Sequence, residues 1–243
     1  MNAYSRLAHY YDILTRDVPY SEFADFYTER FRELPNPPRT VLDLACGTGS
    51  VAVLLAERGH ELICVDGSPD MLMLAREKFD SLGEELAYPL FICQNMDEID
   101  LYGTVSAAVC SLDSLNYVEG AALSEVFRRL ALFIEPGGLF CFDLLLPEHL
   151  RSLDGSVSVD EAENLLVLWR GEFDAEQNAL RYGVDIFERT DSEQYRRERE
   201  EHIEFAHEPE QVLNLLRAAG FTPRSYPAVN GRMHFTAIHD RIS

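Results

Sequence analysis

The chain has 243 residues and an acidic composition, with 42 Asp and Glu against 21 Lys and Arg and a formal net charge of −21. A protein with this negative net charge repels a phosphate backbone, which argues against a nucleic-acid partner. A hydrophobic fraction of 47% suffices for a folded core and argues against disorder. Because no run reaches the roughly 18 apolar residues of a membrane helix and no signal-peptide pattern is found, we predict a cytoplasmic protein without a membrane partner. The composition does not indicate an oligomeric state.

Residues 1–34 are predicted to form a helical cap. Aromatic side chains recur there at helical spacing, as expected for an amphipathic helix packed on another layer: Tyr20, Phe23, Tyr27 and Phe31. The proline-rich segment 35–38 then ends the helix.

Strand and helix patterns alternate from residue 40 to residue 144. Ser68 and Pro69 supply an N-cap and a first helical residue, and the segment 136–138 is predicted to end a later helix. Repeated βαβ units with near-continuous apolar strands predict an α/β fold with a doubly wound, Rossmann-like parallel sheet. The predicted strands are 40–45, 61–66, 89–93, 105–110 and 139–144.

A different pattern begins after Pro147. A polar loop is predicted to residue 164, followed by three strands joined by hairpin-length turns, at 165–173, 179–190 and 195–206. These strands predict an inserted antiparallel β meander. We therefore predict three parts: the cap of 1–34, a Rossmann-like domain of 35–147 and 207–243, and an inserted substrate-side subdomain of 148–206.

The glycine-containing segment from Asp43 to Gly49 lies at a predicted strand-to-helix turn, where the backbone can approach a ligand closely. Asp66 ends the next strand. Its separation in sequence from Gly47 is the one expected of a carboxylate that binds both ribose hydroxyls. The segment 47–52 also fits the G-x-G-x-x-[GA] fingerprint of NAD-binding proteins. Asp43 favours another ligand, because a carboxylate there would repel a pyrophosphate and attract an amino or sulfonium group.

The string D-x-x-x-G-x-G at residues 43–49 resembles the first motif of class I S-adenosylmethionine (SAM)-dependent methyltransferases. The resemblance extends over nearly the whole chain. It implies a seven-stranded, mostly parallel sheet with an antiparallel final strand, and SAM as cofactor with S-adenosylhomocysteine as product. It also implies that Asp66 binds the ribose, that residues 94–97 contact the adenine, and that residues 111–117 border the methyl donor and the acceptor.

The N-terminal residues Tyr4, Ala8, Tyr11 and Asp12 are similar to the Tyr…Ala…Tyr-Asp opening of a bacterial subgroup of small-molecule methyltransferases. In that subgroup the aromatic side chains fold over the bound SAM. Packing of the first helix against the core is the alternative interpretation of the same residues.

These arguments predict a cofactor site, a set of acceptor contacts and no metal site. The predicted cofactor-binding residues are Tyr11, Asp43, Ala45, Cys46, Gly47, Gly49, Asp66, Gly67, Ser68, Met71, Asn95, Met96 and Ser111. The predicted catalytic or acceptor-contacting residues are Asp113, Asn116, Tyr117 and His202.

Glu204 points the same way as His202 on a strand and suits an acid/base pair, although a solvated strand face would carry the same pattern. The sequence thus predicts a SAM-dependent methyltransferase acting on an unidentified small molecule. An NAD-dependent oxidoreductase and a non-catalytic SAM-binding protein remain as alternatives.

Overall fold

The computed structural model describes residues 7–83, 86–162, 164–190 and 194–240. Two helices precede an alternation of strands and helices: α1 Ala8–Leu14, α2 Tyr20–Arg32, β1 Thr40–Leu44, α3 Ser50–Glu57, β2 Glu61–Asp66, α4 Pro69–Leu82, β3 Leu90–Cys93, β4 Val105–Cys110, α5 Gly120–Phe133 and β5 Ile134–Leu145. The remaining elements are α6 Pro147–Ser152, β6 Val157–Ala162, β7 Leu165–Asp174, β8 Ala179–Arg189, β9 Tyr195–Phe205, α7 Pro209–Ala218, β10 Phe221–Ser225 and β11 Arg232–His239.

Seven strands form one sheet in the order β10-β11-β5-β4-β1-β2-β3. The pairs between β5, β4, β1, β2 and β3 are parallel, whereas β11 runs antiparallel to both β5 and β10. This arrangement confirms the predicted fold class. The strands are apolar because each face of the sheet carries a layer of helices. Reversal of strand order beside β1 places the carboxyl ends of β1, β2 and β4 around one crevice, where open α/β sheets bind ligands.

Helix α2 packs on this sheet in the way the aromatic spacing predicts. Phe23, Tyr27 and Phe31 are buried in one cluster with residues of α3 and β4. Helix α4 begins as predicted, because the Ser68 hydroxyl accepts a hydrogen bond from the Met71 amide and a proline occupies the first helical position.

Four further strands form a second, antiparallel sheet in the order β6-β7-β8-β9. Three of them are the predicted meander, and the fourth corrects the predicted loop before residue 164, which contains α6 and β6. Strand β6 is an exposed edge strand: Val157 and Val159 alternate with polar residues, but neither valine is buried in a core. Its pairing with β7 holds it in place.

Strand β5 also begins earlier than predicted. It starts at Ile134 and continues through the segment 136–138, which the sequence pattern assigned to the end of a helix. The register between β4 and β5 shifts between Val105 and Ala107, so the proline and glycines form an irregularity within the strand.

Strand β9 separates its charges by face. Glu200, His202 and Glu204 are buried against the rest of the protein, whereas Arg197 and Arg199 are exposed on the opposite face. The cause is the two-residue period of a strand. On the exposed face, Arg197 pairs with Asp185 of β8, whereas Arg199 pairs with its neighbour Glu201.

Among the described residues, no helix combines the length and the apolar composition needed to cross a membrane. The cytoplasmic location stays a prediction.

Candidate active site

A cavity of about 470 Å³ opens at the carboxyl ends of β1, β2 and β4. Its volume lies within the range of small-molecule sites. The structure brings most predicted cofactor residues to its wall: Tyr11, Ala45, Gly47, Asp66, Gly67, Ser68, Met71, Asn95 and Met96. A smaller recess shares Tyr11, Ala45 and Gly47 with the cavity and adds Asp43, Cys46 and Ser111.

The Asp66 carboxylate is held in one orientation by two backbone amides. Its Oδ2 atom accepts a hydrogen bond from Gly47 N at 2.8 Å, and its Oδ1 atom accepts one from Ser68 N at 2.8 Å. Burial raises the pKa of Asp66, and the two amides act in the opposite direction. Each oxygen keeps a free lone pair, so the carboxylate can accept hydrogen bonds from two hydroxyl groups at the cavity wall.

Asp43 lies deeper and lacks such partners. Its side chain is 1% exposed, and no group in the described part of the chain hydrogen-bonds its Oδ2 atom. Burial, followed by the charge of Asp66, raises the pKa of Asp43 to about 8. A buried carboxyl oxygen without a partner beside a ligand cavity fits a cationic group such as the ammonium of SAM, and it does not fit a pyrophosphate.

Gly49 is the predicted cofactor residue that lines neither space. It has φ +77° and precedes α3, and a Cβ atom there would lie 3.2 Å from the Cβ of Ala75 on α4. The glycine therefore lets α3 and α4 pack closely at the turn. Its contact with the cofactor stays a prediction.

Helix α1 is fastened to the glycine turn by polar contacts. Thr48 Oγ1 donates to Asp12 at 2.6 Å, and Lys78 Nζ lies 2.9 Å from the same carboxylate. These contacts place Tyr11 at the cavity wall, where burial raises the pKa of its phenol and keeps it neutral. Tyr4, the first residue of the N-terminal resemblance, lies outside the described residues.

The loop after β4 is held in an unusual backbone conformation. Leu112 and Asp113 have φ of 56° and 51°, a region that side chains other than glycine rarely adopt. Both of their amides donate to the buried Asp143 carboxylate at 2.9 Å, while Arg232 contacts Asp143 and lies 2.5 Å from Asp113. Asp143 and Arg232 were not among the predicted site residues. An acidic residue inside the otherwise apolar fifth strand was the signal that could have identified Asp143.

The predicted catalytic residues occupy different environments. Asn116 is fully buried, and its amide bonds the backbone of Leu145 and Phe205, so it joins β5 to β9. Tyr117 lines the cavity, and its ring centroid lies 6.1 Å from that of the buried His202. Substrate contacts of these residues stay predictions.

Comparisons with known proteins agree with this geometry. A family model described as a methyltransferase domain matches residues 41–138. The protein YqeM of Bacillus subtilis, named as a methyltransferase, is 29% identical over 222 residues, which cover 90% of this chain and 86% of YqeM. The crystal structure of a SAM-dependent methyltransferase from Clostridium acetobutylicum superposes with a TM-score of 0.85 at 27% identity and covers 99% of this chain and 100% of its own.

The structure of the sugar N-methyltransferase KedS8 from Streptoalloteichus has the same fold, with a TM-score of 0.82 at 24% identity over 95% of this chain and 93% of KedS8. The resemblance seen in the glycine turn thus extends through the whole sheet and the inserted strands. The methyltransferase-domain match and the SAM-dependent methyltransferase structure that covers 99% of the chain together support a class I SAM-dependent methyltransferase family.

Proposed function

We propose that the protein transfers the methyl group of SAM to a small-molecule acceptor. The observation that carries the proposal is the cavity in which Asp66 offers two oriented oxygens, together with the adjoining recess in which Asp43 offers an unpartnered one. A ribose and an ammonium group match these two carboxylates. The sugar N-methyltransferase KedS8 uses the same fold, which supports an acceptor of similar size.

When SAM is bound, it supplies an electrophilic methyl group and a thioether leaving group. The protein then has to hold the acceptor in line and exclude water, and such placement can lower a barrier by about 7–11 kcal/mol. Asp66 and Asp43 fix the two ends of the donor. Tyr11 and Tyr117 lie on the cavity wall, where they exclude water and offer hydroxyl groups to the ligands.

A thermal-shift titration with SAM, S-adenosylhomocysteine and NAD in parallel tests the proposal. A ligand at a hundred times its dissociation constant adds about 2.7 kcal/mol to the free energy of unfolding. We expect the melting temperature to rise with SAM and with its demethylated product. A rise with NAD alone would support the oxidoreductase alternative and contradict the proposal.

The affinity for SAM is expected to depend on pH through Asp43. In the free protein this carboxyl stays protonated up to about pH 8. An ammonium group beside it favours the ionised form, so binding releases a proton, and affinity should rise by up to about tenfold per pH unit between pH 6 and 7.5. Calorimetry at several pH values, compared with Asp43→Asn, measures this slope. An equal slope in the variant would show that another group is responsible.

A further inference from the structure

A second group of titratable side chains lies behind Tyr117, outside the cofactor cavity. Glu204 of β9 is 4% exposed, and Tyr117 donates a hydrogen bond to it. The other groups that face Glu204 come from three elements: Asp113 in the loop after β4, Tyr182 on β8 and Arg232 on β11. His202 and Glu200 follow on the same face of β9, and they lie 3.3 Å apart.

Glu204 lacks a cation of its own. Arg232 is the guanidinium near it, and this group already contacts both Asp113 and Asp143. The Oε2 atom of Glu204 is buried and has no hydrogen-bond partner within the described ranges. Burying a carboxyl oxygen without a hydrogen-bond partner costs free energy. The arrangement therefore fits a cationic ligand that binds on the cavity side of Tyr117.

The surroundings of Glu204 favour the protonated form of its carboxyl group. Burial, followed by the charge of Asp113, raises the pKa of Glu204 well above its usual value, while the Tyr117 hydrogen bond and Arg232 oppose the rise. A carboxylate whose pKa is raised binds a proton more readily than an exposed one, so Glu204 is suited to receive a proton.

Building on the proposed function, we infer that the acceptor is an amine and that Glu204 is a positioning residue that receives the acceptor's proton through the Tyr117 hydroxyl. The Tyr117 hydroxyl passes its proton to Glu204 and takes one from the acceptor's ammonium group. The freed lone pair of nitrogen forms the new bond to the methyl carbon, and the carbon–sulfur bond breaks, leaving its electron pair on sulfur. The product is the methylated ammonium and a neutral thioether, and the proton later leaves Glu204 for solvent.

The test uses the full chain and two matched sets of acceptors. The amines are glucosamine, ethanolamine and phenethylamine, and the alcohols are glucose, ethylene glycol and phenethyl alcohol, with formation of S-adenosylhomocysteine as the readout. We expect methylation in the amine set and none in the alcohol set. Methylation of alcohols alone would overturn the inference, and so would failure of every amine with an enzyme that still binds SAM. Failure of SAM itself to bind would instead contradict the proposed function.

Glu204→Gln tests the residue. We expect kcat/KM for the methylated amine to fall about 100-fold. The increase of the rate with rising pH on the acidic side of the pH profile should disappear, and the affinity for SAM should stay unchanged. Glu201→Gln is the matched control, because Glu201 is the exposed neighbour on the opposite face, 2.7 Å from Arg199. Tyr117→Phe should reproduce the loss if Glu204→Gln does not fold. A variant with the wild-type pH profile would show that Glu204 takes no part in the proton transfer.

Discussion

Replacing Asp143 by alanine is expected to lower the free energy of unfolding by about 3–5 kcal/mol, the usual cost of removing one partner from a buried ion pair. The side chain is fully buried and serves three donors at once: the amides of Leu112 and Asp113 and the guanidinium of Arg232. Without it, the two amides lose their acceptor and Arg232 keeps only its contact with Asp113. Urea denaturation with a fluorescence readout measures the change.

The control for this variant is Glu77→Ala on the exposed face of α4, which should alter stability by less than about 0.5 kcal/mol. The loop conformation offers a second readout. Because Leu112 and Asp113 hold a strained backbone only while Asp143 binds their amides, amide hydrogen exchange at both residues should increase. A midpoint of denaturation equal to that of the wild type would show that the network contributes little.

Replacing Asp66 by alanine is expected to weaken SAM binding about 100-fold, which corresponds to about 2.7 kcal/mol. Two hydrogen bonds from hydroxyl groups to a charged acceptor are worth about this much when both are lost. The change also removes the acceptor for the amides of Gly47 and Ser68, so the cavity wall loses its fixed shape. Isothermal titration calorimetry gives the affinity, and circular dichroism shows that the variant is folded.

Glu61→Ala provides the comparison for Asp66, since Glu61 lies at the opposite end of β2 and pairs with Arg39 on the surface. Its affinity for SAM should equal that of the wild type. Tight binding by a folded Asp66→Ala protein would remove the assignment of this carboxylate to the ribose.

The parallel sheet and the glycine turn could be predicted because their signals are local. The strands around Asp43 and Asp66 are short apolar runs bounded by glycine, proline or an acidic residue, and runs of this length with such boundaries are typical of buried strands. The carboxyl ends of neighbouring parallel strands meet at one edge, so the order of strands brings both carboxylates to one cavity. The family resemblance supplied the number of strands and the antiparallel end.

The network around Asp143 could not be predicted in the same way. Arg232 lies 89 residues away in sequence, and the two meet only because β11 returns antiparallel beside β5. Strand β6 was missed for a different reason, since it packs few apolar residues and is defined by hydrogen bonds to β7. The pattern of apolar and polar side chains indicates which residues are buried. It does not indicate which strand a returning strand pairs with, and it does not identify an edge strand that is exposed.

The charged residues of β9 alternate between a buried face and an exposed face, and the pairing register of the strand decides which residues lie on each face. A shift of one residue in the pairing register between β8 and β9 would exchange the two faces of the strand. Arg197 and Arg199 would then turn inward, and the glutamates and His202 would turn to the solvent. A substitution on this strand changes one contact at a time, whereas a register shift would invert the charge of the buried face at once. The paired residues of β9 therefore tolerate replacement far better than a change of register with β8.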